Sequence, residues 1–348
     1  MTLRNTIAVL LSIIIISCSK TTVKEKDFPS IQELNAEAIY INEIIKSENI
    51  HKLKNYIIIR DGYDNSKDFF YVYKFPEFEF LYSFATRGNG PEEYLMPTVI
   101  KGTPDNLFSF RDHATDKFVT YNITDSLSIL VNTYILKPKD SRFMWEINYL
   151  NDSMHILKRS DNRVSNRELW NFTSGSIIDS IPNSFDLKKK MGKDYYTIFD
   201  DYWIVSNNNR FAFSYFFIDR IEFGSIKNNK IEIEKILGNK NPPDFYLYNG
   251  KTNRGKFENN VENNIVYYES LVCGNNNIYA LYAGIPWGDN EVIHSSIIEV
   301  YSWNAEPKTL LKLDMNLSNF IVDEATMTIY GFDVSNSEGV IYKYQYNE

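Results

Sequence analysis

Four histidines (His51, His113, His155, His294) and two cysteines (Cys18, Cys273) are the soft metal-ligating residues of this chain. A zinc site needs three or four such ligands at short local spacings, as in His-Glu-x-x-His or paired cysteines, and none of the six stands in that context. Acyl transfer through serine would call for a Gly-x-Ser-x-Gly elbow; the nearest approach, Ser174-Gly175-Ser176, reads as a hairpin turn. Glu92-Glu93 and Asp200-Asp201 are paired carboxylates, but adjacent residues of a strand face opposite sides, so neither pair is a good acid–base couple. No catalytic residue and no metal ligand is assigned.

What remains are candidate binding groups. Arg111, Asp112 and His113 place a cation, a carboxylate and an imidazole just after an inner strand, where propellers often carry ligand groups. A turn aspartate capped by its neighbours is the plainer reading of the same three residues. Arg87, Glu92 and Glu93 flank Gly88-Asn89-Gly90-Pro91. A phosphate cradle there would need a following Lys-Ser or Lys-Thr and a helix, and both are missing, so Gly88 and Gly90 are expected to serve a positive-φ turn stiffened by Pro91. Trp287 and Asp289 lie in the loop Gly284-Ile285-Pro286-Trp287-Gly288-Asp289-Asn290, where an exposed indole could stack on a sugar or peptide. Trp145 and Trp203 fall in strand runs and are expected in the core.

The N-terminus concerns address. Arg4 precedes an apolar run from Ile7 to Ile16, broken by Ser12, and then Ser17-Cys18-Ser19-Lys20. A membrane span needs about 20 apolar residues, roughly twice this run, so the segment fits a cleaved export signal. Ile15-Ile16-Ser17-Cys18 resembles the bacterial lipobox, although isoleucine stands where leucine is usual. The resemblance implies cleavage after Ser17 and a lipid on Cys18, at about 0.8 kcal/mol for each methylene buried in the membrane. Residues 1–17 are then signal peptide, 18–30 a polar tether and 31–348 the folded domain. Ser19-Lys20-Thr21-Thr22 lacks the acidic surface-export pattern, which places the expected anchor on the periplasmic face of the outer membrane.

Losing Arg4 takes the formal charge from −8 to −9, with basic residues scattered, so a nucleic-acid partner is not expected. With Cys18 lipidated, Cys273 has no disulfide partner; its apolar run, Val266 to Cys273, marks it as a small core residue. Aromatic residues make up 15% of the chain, and they sit in short alternating runs separated by asparagine-rich turns such as Asn207-Asn208-Asn209 and Asn228-Asn229. That is an all-β pattern.

The runs repeat. An aromatic strand, a polar turn and a second alternating strand recur at Tyr73 before Phe78, Tyr121 before Leu127, Phe172 before Ile177, Phe223 before Ile231 and Tyr301 before Leu310. A last copy, Tyr342 to Tyr346, reaches the C-terminus without its second strand. Most spacings are about 40 to 50 residues, the length of one four-stranded propeller blade. Six copies predict a six-bladed β-propeller, with Ala38 to Ile44 supplying the missing outer strand and closing the ring. A pair of β-sandwiches is the competing fold.

Phe84 to Pro97, then Asp105 to Asp112, then Lys117 to Tyr121 resemble an NHL-type blade junction: a Gly-x-Gly-Pro-x-x-aromatic turn, a proline, a hairpin strand ending in Asp and a closing strand. With the lipobox and the length, the chain is similar to the TolB-like six-bladed propeller lipoproteins of Bacteroidetes. The motif is clear in one blade; the others match in rhythm only.

Two function classes follow. The first is a non-enzymatic binding or scaffold protein holding a peptide, glycan or protein partner and touching the membrane through its lipid, with no cofactor. The alternative is a hydrolase or lyase acting on a glycan, lactone or peptide in the funnel, with Asp112, His113, Glu92 and Asp201 as first suspects and a divalent cation as its potential cofactor.

Overall fold

In the computed structural model, which describes residues 28–104, 106–135, 144–151, 153–161, 164–182, 202–239, 265–286, 295–335 and 339–347, every regular element is a strand. The signal segment, Cys18, Asp201, Trp287 and Asp289 lie outside the described residues, as does most of the polar insertion after Gly238.

Among the described residues twenty-five strands form six sheets arranged as the blades of a propeller. The first blade contains β3 (Ser47–Lys52), β4 (Tyr56–Asp61), β5 (Asp68–Lys74) and β6 (Glu79–Thr86). The second contains β7 (Pro97–Ile100), β8 (Leu107–Asp112), β9 (Lys117–Ile123) and β10 (Ser128–Ile135). The third runs through β11 (Met144–Tyr149), β12 (Met154–Asp161), β13 (Val164–Asn171) and β14 (Ser176–Pro182). The fourth has β15 (Tyr202–Asn207), β16 (Arg210–Tyr215), β17 (Arg220–Lys227) and β18 (Lys230–Gly238). The fifth has β19 (Ile265–Cys273), β20 (Asn277–Pro286), β21 (Ser295–Ser302) and β22 (Pro307–Leu317), and the sixth β23 (Asn319–Asp323), β24 (Thr328–Phe332) and β25 (Val340–Gln345). The first five aromatic repeats read from the sequence are hairpins between a blade's third and fourth strands, and the sixth is the third strand β25.

Middle strands read as nearly unbroken apolar runs because both faces of a blade are covered by neighbours. Ile57, Ile58 and Ile59 in β4 alternate sides: Ile58 packs toward Phe70 and Phe108 of the second-blade junction, Ile57 and Ile59 toward Ile321 and Tyr330 of the sixth blade. One buried cluster fills each of the six blade junctions, including the one between the last blade and the first. The ring is therefore closed by packing, as a row of stacked sheets would not be.

The N-terminal segment closes it by hydrogen bonding as well. β2 (Glu37–Tyr40) pairs antiparallel with β25 and completes the sixth blade, with Lys343 Nζ 2.7 Å from Glu37 Oε2. The closing strand is shorter than the expected Ala38 to Ile44, because Ile41 and Ile44 leave the sheet to pack in the core between the sixth and first blades. Ahead of it, β1 (Ile31–Leu34) adds in parallel to the outer edge of β22, a fifth strand that the repeat pattern did not predict. Phe28, inside the expected tether, is buried against Tyr301 with ring centroids 5.4 Å apart, so the docked chain begins by Phe28 and not at residue 31.

Turn chemistry follows residue type. Asn208, Asn228 and Asn229 adopt positive φ, which asparagine tolerates better than most residues. Gly88 has a φ of 153°, whereas Gly90 does not belong to the positive-φ set and the expectation for it fails. Gly90 contributes its N–H to Glu93 Oε2 at 2.7 Å.

Candidate ligand site in the central channel

The first strands of the blades, β3, β7, β11, β15, β19 and β23, surround the axis, and all neighbours around it except β3 and β7 pack closely side by side. Their side chains line a channel that widens at both ends. Where these strands end, a cavity of 720 Å³ opens between Lys54, Gly102, Asn148, Asn208, Asn275 and Asp323. Toward their starts, a second cavity of 370 Å³ lies among Glu48, Arg60, Thr98, Glu146, Trp203 and Glu269. Asn49, His51, Val99, Lys101, Ser270 and Asn319 border both and form the waist.

An alternating strand beside a channel must present one side chain in two to the axis, and here those include the polar Asn49, His51, Lys101, Glu146, Glu269 and Asn319 beside the apolar Val99 and Trp203. The waist is cross-braced at the ring's seam: Asn319 Nδ2 donates to Asn49 Oδ1 at 3.2 Å, and Ile50 N–H donates to Asn319 Oδ1 at 3.3 Å. Nearer the wide mouth, Lys52 and Asp323 form a 3.2 Å ion pair between the first and last blades. In the narrower cavity Lys101 Nζ lies 2.9 Å from Glu146 Oε2 and 5.4 Å over the Trp203 ring, while Arg60 Nε stands 3.2 Å from Glu48 Oε2.

Three channel groups have displaced protonation equilibria. Burial, reinforced by the positive charges of Lys101 and Arg60, lowers His51 to about 3, so its imidazole is neutral at any physiological pH. Burial, with Asp333 adding to it, raises Glu269 to about 7 against the donated hydrogen bonds of Ser295, at 2.8 Å, and Ser318. The Cys273 thiol is pushed up to about 12 by burial and by Glu324. Cys273 is half-buried: it packs against the apolar cluster between the fourth and fifth blades, as its apolar run suggested, and also borders the wide cavity. A narrow channel can leave a group partly accessible and still surround it with protein, which accounts for the high pKa. Trp203 is likewise half-buried, its indole N–H donating to the Tyr268 carbonyl at 3.1 Å.

The described candidates from the sequence line neither cavity; they cluster between the first two blades. Asp112 and its neighbours end β8, the second strand out from the axis. Asp112 Oδ1 accepts the N–H groups of Leu95 (3.3 Å) and Met96 (2.7 Å), and Oδ2 accepts the Thr115 hydroxyl at 2.6 Å. Arg111 reaches across to the Met144 carbonyl at 2.7 Å and holds Asp116 at 2.8 Å. His113 donates its backbone N–H to Met96, and burial, then Arg111, lowers its ring to about 4. Arg87 lies 3.7 Å over the Phe69 ring and donates to the Asp61 carbonyl at 2.6 Å; Glu93 caps Gly90; Glu92 is exposed.

The channel residues Asn49, His51, Lys101, Glu146 and Glu269 were not singled out from the sequence. Their available signal is positional: each lies on or just after the strand that opens a repeat, where polar side chains interrupt an otherwise apolar rhythm.

Residues 25–325 match the family model described as TolB-like 6-blade propeller-like. The chain belongs to this TolB-like propeller family. Two solved structures share the propeller at low identity. A protein of Bacteroides fragilis described as exported superposes with a TM-score of 0.60 at 14% identity, covering 90% of this chain and 96% of its own. A member of the DUF4221 family from Bacteroides vulgatus gives 0.57 at 12%, covering 90% and 97%. No curated protein matches the chain in sequence. Identity this low supports the TolB-like fold alone.

Proposed function

We propose that this TolB-like propeller is an exported lipoprotein, anchored through Cys18 on the periplasmic face of the outer membrane, that holds a peptide, glycan or protein partner in its central channel without transforming it. The observation that carries the reading is the polar channel itself, a 720 Å³ cavity walled by the opening strands of all six blades. A concave site with few, fixed polar groups is the usual geometry of ligand recognition. The short apolar N-terminal run ending at Cys18 supports the address, as does the exported description of the Bacteroides fragilis neighbour. The acidic balance of the chain disfavours a nucleic-acid partner.

Two measurements test this. Metabolic labelling with a palmitate analogue should tag the native protein and not Cys18→Ser. Photo-crosslinkers at Lys54 or Asn208 should capture the partner in intact cells, and one at Glu92 should not; capture at Glu92 alone would overturn the channel site.

One observation favours a second reading as a hydrolase or lyase: Glu269 at about 7 could act as general acid or base near neutral pH. Turnover of a glycan, lactone or peptide that disappears in Glu269→Gln would establish it. Among the described residues no group of three or more His, Cys, Asp or Glu side chains is placed to hold a divalent cation for such a reaction.

A further inference from the structure

We propose that a cavity of 710 Å³ between the second and third blades binds a small uncharged ring compound that carries a hydroxyl group. It lies beside the wide mouth of the channel and shares Ile100, Thr103, Pro104 and Tyr149 with it. The rest of its wall comes from strands and turns farther from the axis. The inference goes beyond the channel reading and stands without it.

The cavity exists because the second blade turns a polar row toward the third. Ser109, Thr120 and Asn132 sit opposite one another on β8, β9 and β10, and all three line the cavity. Ser109 Oγ and Thr120 Oγ1 hydrogen-bond to each other at 2.8 Å. Packed sheets stand about 10 Å apart, so side chains this short leave space that a larger apolar residue would fill. Among the described residues, the buried cluster at this junction is the smallest of the six.

The wall selects against ions. No Asp, Glu, Lys or Arg stands among its described lining residues, whereas Lys52, Lys101 and Asp323 border the wide mouth. A charged molecule entering here would give up its hydration without meeting a counter-charge. Aromatic rings supply the apolar surface instead. Phe118 and Tyr134 stack with centroids 5.1 Å apart, and Phe172 meets Phe118 edge-on at 5.0 Å. Val131 and Ile135 are exposed on the outer strand β10 and line the same cavity, which gives it an apolar border.

One polar group in this wall lacks a partner. His155 lines the cavity with its ring stacked on Phe172 at 4.1 Å, and its Nδ1 is buried without a hydrogen bond among the described residues. Buried polar atoms are almost always satisfied. Burial alone lowers the imidazole to about 3, so it is neutral and offers one donor and one acceptor nitrogen. A half-turn of the ring exchanges Nδ1 with Cδ2 and keeps the stack on Phe172, so a nitrogen can be presented along either edge. A hydroxyl can answer either nitrogen, because it both donates and accepts. The volume is within the range of small-molecule sites, roughly 300–1,000 Å³.

Equilibrium dialysis of the full lipidated protein in nanodiscs, with uptake by protein-free nanodiscs subtracted, tests this with substituted naphthalenes. 2-Naphthol should bind saturably, about ten-fold or more tighter than 2-naphthoate or 2-naphthylmethylammonium. It should also bind about three-fold or more tighter than 2-methylnaphthalene, which lacks the hydroxyl. His155→Phe keeps a ring on Phe172 and should remove the preference for naphthol over methylnaphthalene. Thr120→Phe fills the cavity and should abolish binding in a folded protein. The inference is overturned by an absence of saturable 2-naphthol binding at millimolar concentration, or by equal binding of a charged analogue or of 2-methylnaphthalene. A preference that survives His155→Phe, or binding that survives Thr120→Phe, overturns it as well. If either variant fails to fold, a naphthyl diazirine on the native protein decides. Adducts within Phe118 to Ile135 or Phe172 to Gly175 that 2-naphthol suppresses support the site, and adducts confined to channel residues such as Lys54 and Asn208 reject it.

Discussion

Arg167 Nη1 lies 2.7 Å from Glu222 Oε2, and neither side chain reaches solvent. The pair joins the third strand of the third blade to the third strand of the fourth, and Arg220 Nη2 closes on Glu222 Oε1 from the other side at 2.5 Å. Tyr215 adds its hydroxyl to the same oxygen at 3.0 Å. One carboxylate thus pairs with two guanidinium groups inside the junction between the third and fourth blades.

Glu222→Gln should therefore be strongly destabilising, by about 3–5 kcal/mol, since it strands buried positive charge. Urea denaturation at neutral pH measures this. A change below about 1 kcal/mol would show that the network contributes little to holding the two blades together.

Removing residues up to Tyr40 deletes both N-terminal strands. The outer edges of β25 and β22 would then lie open, and an open edge invites pairing with another chain. The truncated protein should melt at lower temperature and form dimers or larger species on light scattering. A monomer with an unchanged transition would mean that the six packed junctions close the ring without strand pairing.

Glu269 makes stability pH-dependent in a direction opposite to most carboxylates. Its folded pKa, about 7, lies above the ordinary 4.5, so the folded state holds the proton more tightly. The associated stabilisation is complete below about pH 4.5 and is lost as pH rises through 7. Glu269→Gln cannot lose a proton. Its stability relative to the native ligand-free protein should rise between pH 5 and pH 8 by about 1–3 kcal/mol. Parallel melting profiles across that range would contradict the raised pKa.

Asp112→Ala removes an acceptor shared by two backbone N–H groups and the Thr115 hydroxyl. Loss of about 1–3 kcal/mol is expected, with affinity for a channel ligand unchanged. Weakened ligand binding in a variant that remains folded at the assay temperature would return the Arg111–His113 turn to the list of binding groups.

How far the chain could be read from its residues differs between scaffold and site. The blade rhythm was visible because third and fourth strands, exemplified by Tyr301 before Leu310, keep aromatic and branched residues on both faces. The closing role of the N-terminus was visible because the last repeat, ending at Tyr346, lacked its partner. β1 was not, since a parallel addition to β22 leaves no hairpin turn to announce it. The partial access of Cys273 to the channel was not legible, because an apolar run marks a strand without saying that one end of it borders a cavity.

By itself, the sequence determined the all-β class, the count of six repeats and the N-terminal strand needed to complete them. These are properties of local periodicity and turn chemistry, which act over a few residues. The channel site was decided by tertiary structure alone. Asn49, Lys101, Glu146, Glu269 and Asn319 belong to five different blades, and nothing in their local spacing brings them together. Only closing the ring sets these residues around a common axis, where ion pairing engages Glu146 and Glu48 while burial and the Ser295 hydroxyl set the state of Glu269.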